Sequence, residues 1–257
     1  MTRTADGSAG DADYSAIRRD YAAYRQPDPR IFAAISRAFG EARTVVNVGA
    51  GAGSYEPVDR RVTAVEPSAS MRAQRPASLS AAIDATAEAL PFPDASFDAA
   101  LASFTVHQWV DLEAGLREMR RVTTGPVVIL TCDPTALDRF WLAEYAPEVI
   151  ATEASRYPEL DRIAEGVGGS VETVPIPIPL DCTDGFGEAY FGRPEALLDP
   201  GARLANSAWS FVGEDVEARF VRALGDDLAS GAWDARWGSL RTRPEFDGSL
   251  RLLIGRQ

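Results

Sequence analysis

Two places in this chain combine residue types and spacing that can do chemistry. The first is Thr44-Val-Val-Asn-Val-Gly-Ala-Gly-Ala-Gly-Ser54, where an apolar run leads straight into Gly49, Gly51 and Gly53. Glycines there allow a tight turn and let the backbone approach a ligand more closely than any Cβ would permit. Nineteen residues after Asn47, the run Val-Thr-Ala-Val-Glu-Pro-Ser ends in Glu66. A carboxylate at that point sits beside the loop and can accept both hydroxyls of a ribose. An ordinary turn and a solvated strand end would explain either feature alone; loop, acid and strand context together make a nucleoside-binding site. The second place is Ser103-Phe-Thr-Val-His-Gln-Trp109, which holds His107, the only histidine. Its unperturbed pKa lies near neutrality, so it could take a proton from a hydroxyl or amine. The alternative is a hydrogen-bonded, half-buried histidine that positions its loop.

Composition removes much other chemistry. All 26 residues counted as Lys or Arg are arginine, which leaves out Schiff-base and pyridoxal-phosphate catalysis, a P-loop lysine and a Tyr-x-x-x-Lys dehydrogenase pair. One histidine and two cysteines, Cys132 and Cys182, argue against a histidine-rich zinc centre, an iron–sulfur cluster or a disulfide framework. A formal charge of −12 argues against nucleic acid as partner, since that affinity rests on Lys and Arg contacts to phosphate. No apolar run reaches the ~18 residues of a membrane span, and the polar, acidic N-terminus lacks a signal core. The expectation is a cytoplasmic protein, monomer or homodimer, acting on a small molecule.

The elements that must position these residues are legible as runs. Thr44–Val48, Val62–Val65, Ala81–Ile83, Phe97–Ala102 and Val127–Thr131 are continuously apolar, as strands buried on both faces of a parallel sheet require. Ile31, Ile35 and Phe39 recur at the four-residue spacing of one helix face, after a break at Pro27-Asp28-Pro29. Asp111 can cap a helix that puts Leu112, Leu116 and Met119 on one side. Beyond residue 132 the pattern is helical over Pro134–Gly169. Val171–Leu180 then reads as a strand that Pro175, Pro177 and Pro179 demote to an edge. Val216, Phe220, Leu224 and Leu228 mark one further helix, and Ser249–Ile254 a closing strand.

The glycine pattern decides between nucleosides. A dinucleotide fingerprint needs Gly-x-Gly-x-x-Gly opening a full helix; here the third glycine comes one residue early, and Pro57 leaves little room for a helix before Val62. The segment resembles motif I of class I S-adenosylmethionine-dependent methyltransferases of the type 11-like, small-molecule family. Glu66-Pro-Ser is similar to motif II. Asp84-Ala-Thr-Ala-Glu-Ala-Leu-Pro-Phe-Pro-Asp-Ala-Ser-Phe-Asp98 is similar to the family's Gly-Asp-Ala-Glu-x-Leu-Pro-Phe-x-Asp-x-Ser-Phe-Asp stretch, and Leu116-Arg-Glu-Met-Arg-Arg-Val122 to the helix before its fifth strand. The resemblance covers residues 40–132 well and Tyr14–Ile35 loosely.

It implies a cofactor, S-adenosyl-L-methionine (product S-adenosyl-L-homocysteine), and a set of positions. Gly49, Ala50, Gly51 and Gly53 would pack under the methionine part and ribose. Glu66 would hold the ribose hydroxyls, with Pro67 and Met71 against the adenine and Thr86, Ala87 and Glu88 along its edge. Ser103 and Phe104 would lie near the methionine portion, and Arg25 would reach its carboxylate, unless Arg25 makes only a surface salt bridge. Three departures stand out: Asn47 replaces the usual acid of motif I, Thr86 the usual Asp, and Ala85 a common glycine.

The implied fold is Rossmann-like α/β: a seven-stranded, mostly parallel sheet with helices on both faces and a helical, aromatic substrate cap. We expect one methyltransferase domain over residues 1–257, with a disordered tail at 1–12, cap helices at 13–39, the cofactor core at 40–132 and cap insertions at 133–169 and 183–246. The aromatic residues past 135 suggest a pocket for an apolar or aromatic metabolite, though most should simply fill the cap's core. Specialised metabolism is compatible with the arginine-only, alanine-rich composition. Two alternatives remain: a cofactor-binding protein that does not methylate, and a nicotinamide-dependent oxidoreductase.

Overall fold

The computed structural model describes residues 21–257; the expected tail at 1–12 and the part of the cap at 13–20 lie outside the described residues. Helix α1 (Tyr21–Tyr24) is followed by α2 (Pro29–Ala38). Proline at the first position of α2 costs no hydrogen bond, and Asp28 caps it, accepting from the Arg30 amide at 2.9 Å. Ile31, Ile35 and Phe39 are buried, as their spacing predicts.

Strands β1 (Thr44–Val48) and β2 (Arg61–Val65), helix α3 (Ala69–Ala73), β3 (Ala99–Ser103), α4 (Leu112–Val122) and β4 (Val127–Cys132) form the first half. Asp111 caps α4 by accepting from the Ala114 amide at 2.9 Å, and Leu112, Leu116 and Met119 are buried on its inner side. Helices α5 (Leu142–Tyr145), α6 (Pro147–Arg156) and α7 (Leu160–Val167) lead to β5 (Ser170–Pro175). Then come β6 (Ile178–Pro179), α8 (Pro200–Leu204), α9 (Glu214–Ser230), α10 (Ala232–Trp237), β7 (Glu245–Phe246) and β8 (Leu250–Arg256), with short 3₁₀ turns between them.

The sheet order is β2-β1-β3-β4-β8-β5; the first four strands are mutually parallel, and β8 is antiparallel to both β4 and β5. Six strands are present where seven were expected. The run Ala81–Ile83 contributes a single bridge, Ile83 to Val65, and Ile83 is 39% exposed at that edge, so the burial a strand needs is missing among the described residues. The expected strand Val171–Leu180 is also divided: the sheet strand ends at Pro175, and only Ile178–Pro179 pair again, with β7. A proline cannot donate to the ladder, which explains the break.

Side chains alternate across the sheet. Val45, Leu101, Val128 and Leu130 pack with α2 and the aromatic C-terminal half, whereas Val46, Ala100, Val127 and Ile129 pack with α4 and α7. With both faces covered, the carboxyl ends of β1, β2, β3 and β4 open along one edge, where ligands of such sheets bind.

Asp28 ties α2 to the C-terminal half. Its side chain is fully buried; burial alone would raise its pKa, but hydrogen bonds from the Arg30 side chain and amide and from the Thr183 amide hold it down at about 2. A depressed folded pKa adds stability above the unfolded value of about 3.9, and this is lost as pH falls towards 2. Asp28→Asn should therefore cost roughly 2 kcal/mol at pH 7, with the gap closing as pH drops below 4. Urea unfolding at both pH values checks this, and an equal loss at both would contradict it.

Candidate active site

The loop after β1 is shaped by its glycines. Gly49 has φ 68°, and a Cβ there would meet Thr105 Oγ1 at 2.0 Å, so no other residue fits. After β2, Glu66 points back at the loop. Its Oε2 accepts from the Gly51 amide and its Oε1 from the Ser68 amide, each at 2.8 Å. A carboxylate has about four acceptor positions, so two remain for a diol. Burial raises the pKa of Glu66 against the pull of these amides and of Arg72 and Arg75.

A cleft of about 890 Å³ opens here. Gly49, Ala50 and Gly51 form its floor, with Glu66, Pro67 and Met71 along one side. Ala87 and Glu88 line another side, and Arg25, Ser103 and Phe104 the end. Glu88 also anchors the next loop, accepting from the Val110 and Asp111 amides. Three residues expected at the cleft do not line it. Asn47 is fully buried within β1, and its Nδ2 donates to Glu56 Oε1 at 2.9 Å; Glu56 in turn pairs with Arg75 at 2.9 Å. The side of Gly53 that a Cβ would occupy faces Leu79 and Arg75 rather than the cavity. Thr86 opens a turn, its carbonyl accepting from Ala89, and its side chain lies outside the lining.

Arg25 is no surface ion pair. Its side chain is 13% exposed and that of Asp184 3%, and their ion pair measures 2.5 Å. Tyr55, directly after the glycine loop, donates its hydroxyl to Asp184 Oδ2 at 2.9 Å. Asp184, Tyr55, Gln108 and Trp109 were not anticipated as site residues. Tyr55 had no signal, since its role depends on a partner 129 positions away. Phe104 adopts φ 50°, a region that costs a non-glycine residue on the order of 1–3 kcal/mol. It is held there by its amide bond to the Leu130 carbonyl, by the Phe186 ring at 5.4 Å and by the Arg25 guanidinium at 5.2 Å.

Phe104, Arg25 and Gln108 also border a second cavity of about 830 Å³. Its walls are largely apolar, with Phe140, Tyr157, Phe186 and Trp209 among them, and His107 opens into it from the turn Val106–Gln108. The His107 ring lies 4.4 Å from that of Tyr157. Trp141, Phe191 and Trp233 are fully buried away from this lining and fill the cap's core. Among the described residues, two carboxyl groups face the cavity. Glu188 is pushed up to about 7 by burial, although the Ser249 amide and hydroxyl both donate to it. Glu153 is raised in the same way, partly offset by Arg156, Arg25 and the Tyr157 hydroxyl. Among the described residues, no group of three or more His, Cys, Asp and Glu could hold a metal ion, and no helix is long and apolar enough to cross a membrane.

A doubly wound sheet with a glycine loop and a diol-accepting acid at its carboxyl edge, beside a separate apolar cavity, is the layout of a nucleoside-dependent group-transfer enzyme. Residues 46–128 match the family model described as a methyltransferase domain. A proposed methyltransferase from an antibiotic-biosynthesis pathway of Anabaena variabilis ATCC 29413 is 29% identical, with a TM-score of 0.84 over 91% of this chain and 100% of that one. A methyltransferase of Thermotoga maritima, described as a possible histamine N-methyltransferase, shares the fold at 16% identity, TM-score 0.54 and 93% of each chain. The cyclase SpnF shares it too, at 15% identity, TM-score 0.51, 99% of this chain and 88% of that one. No curated protein matches the sequence. The matched domain and the likeness in fold make the chain an S-adenosylmethionine-dependent methyltransferase, with S-adenosylmethionine as its cofactor. The cleft fits that cofactor: the glycine floor bars any larger side chain at position 49, and Glu66 keeps acceptor capacity for a ribose.

Proposed function

We propose that this enzyme methylates O, N or C of a small apolar or aromatic molecule of specialised metabolism. The observation that carries this is the largely apolar second cavity, which shares Arg25, Phe104 and Gln108 with the cofactor cleft. The likeness to the Anabaena protein, described as part of an antibiotic-biosynthesis pathway, supports the metabolic setting. Residues 40–132 then act as the cofactor core, with 133–169 and 183–246 as the acceptor cap.

On this reading Glu66 accepts the ribose hydroxyls and the glycine loop lies under the ribose and methionine part. Pro67, Met71, Ala87 and Glu88 border the adenine. Arg25, oriented by Asp184, faces the methionine carboxylate with its positive charge. When bound, the cofactor supplies an electrophilic methyl group on sulfur. Asn47 acts from below, bracing the loop through Glu56 and Arg75. At the acceptor, His107 takes the proton that the nucleophile gives up, and the apolar walls exclude water.

Transfer of a radiolabelled methyl group to an acceptor panel tests the reading. Label should enter aromatic phenols and amines and be absent from sugars, nucleotides and tRNA. Label confined to the polar set would overturn it. Calorimetric titration with S-adenosylmethionine, S-adenosylhomocysteine and NAD⁺ in parallel should show binding of the two sulfur nucleosides alone.

A further inference from the structure

The second cavity is apolar but electrically one-sided. Of the charged side chains that line it, Arg25 is engaged by buried Asp184, which leaves Glu153 and Glu188 as carboxyl groups in a low-dielectric space. They differ in what they can do. Glu188 is 3% exposed and is held by the Ser249 amide, at 3.0 Å to both oxygens, and by the Ser249 hydroxyl. Glu153 is half-buried on α6 and faces the cavity. Arg156 and Arg25 act on Glu153 through their charge, while Arg156 donates to Ser207 Oγ at 2.8 Å and lies 4.6 Å over the Phe211 ring. A carboxylate taken out of water is costly unless a cation or donors replace the water. The apolar wall can satisfy an aromatic body, and a positively charged group on that body gives Glu153 a direct ion-pair partner inside the cavity.

Building on the acceptor-pocket reading above, we propose that the acceptor is an aromatic or apolar amine, recognised as its cation by Glu153. The ammonium end sits at Glu153, while Phe140, Phe186 and Trp209 enclose the apolar body. His107, whose ring adjoins that of Tyr157, takes a proton from this nitrogen. The N–H bond breaks, its electron pair stays on nitrogen as the lone pair, and the imidazole gains an N–H. The amine is then neutral and nucleophilic in a cavity whose wall it shares with the cofactor cleft. A carboxylate-bearing acceptor would instead meet like charge on desolvation, which is a means of rejecting wrong ligands.

The full chain, saturated with S-adenosylhomocysteine, is titrated calorimetrically with phenethylamine, phenethyl alcohol and hydrocinnamate at pH 8. Phenethylamine should bind more than about tenfold tighter than the alcohol, and hydrocinnamate weakest, as expected for a partly buried charge pair. E153Q should reduce the amine preference by about tenfold or more while leaving S-adenosylhomocysteine affinity unchanged, because Glu153 does not line the cofactor cleft. Alcohol binding as tight as amine binding overturns the proposal and leaves the apolar-pocket reading standing. If none of the three probes binds, both fall. An intact amine preference in E153Q overturns the assignment to Glu153; should E153Q fail to fold, the comparison of probes on the unaltered chain still decides the acceptor class.

Discussion

Replacing His107 by Ala is expected to lower methyl-transfer turnover ~10²–10⁴-fold, the usual worth of a positioned general base. His107 opens into the acceptor cavity from the turn that follows β3, and it does not line the cofactor cleft. Its removal should therefore leave S-adenosylhomocysteine affinity unchanged while the rate collapses. This pattern, chemistry lost with cofactor binding intact, separates proton removal from a general loosening of the site. The ring packs 4.4 Å from Tyr157 and its Nε2 lies 3.3 Å from Gln108 Nε2, so a purely positioning histidine is the competing explanation. That role predicts a loss below tenfold, since in-line placement by the surrounding walls would survive. Single-turnover rates with an acceptor that takes the label in the panel compare the two directly.

Glu66→Ala is expected to weaken S-adenosylhomocysteine binding by about 1.5–3 kcal/mol, or ~10–150-fold, the worth of hydrogen bonds to a charged group. Part of that loss is indirect. Glu66 also accepts from the Gly51 and Ser68 amides, so the alanine variant leaves two donors to find water and lets the loop relax. Glu66→Gln keeps the shape but turns one acceptor oxygen into a donor facing an amide, and it should lose affinity as well. Because burial raises the Glu66 pKa above the ordinary 4.5, protonation begins at a higher pH than for an exposed glutamate. The ionised form is the better acceptor, so wild-type affinity should fall as pH is lowered through that range, and the slope should vanish in the glutamine variant. Unchanged affinity in Glu66→Ala would remove the ribose role.

The apolar runs, the Asp28 and Asp111 caps and the glycine loop with Glu66 were legible because each is a local property. A helix cap depends on residues within three positions, and a glycine at φ 68° needs no distant partner to be recognisable. The same locality explains the errors. Ala81–Ile83 has the composition of a strand, but strand formation depends on burial, and Ile83 lies at an uncovered edge. Asn47 holds the family's acidic position, yet the direction of its side chain, towards Glu56, is set by the Arg75 pair beneath the loop.

By itself the sequence determined the sheet's parallel half, the glycine turn, the acid beside it and hence the cofactor class. Those follow from side-chain type and spacing along a few residues of chain. Only the tertiary structure decided how the acceptor side is built. Arg25 meets Asp184 across 159 positions, Tyr55 meets the same aspartate across 129, and Glu188 meets Ser249 across 61. The cavity that joins His107, Glu153 and Glu188 draws on segments from Arg25 to Trp209. Which of many carboxylates ends up buried beside an aromatic wall is set by the packing of the whole cap, and no periodicity in the chain encodes that meeting.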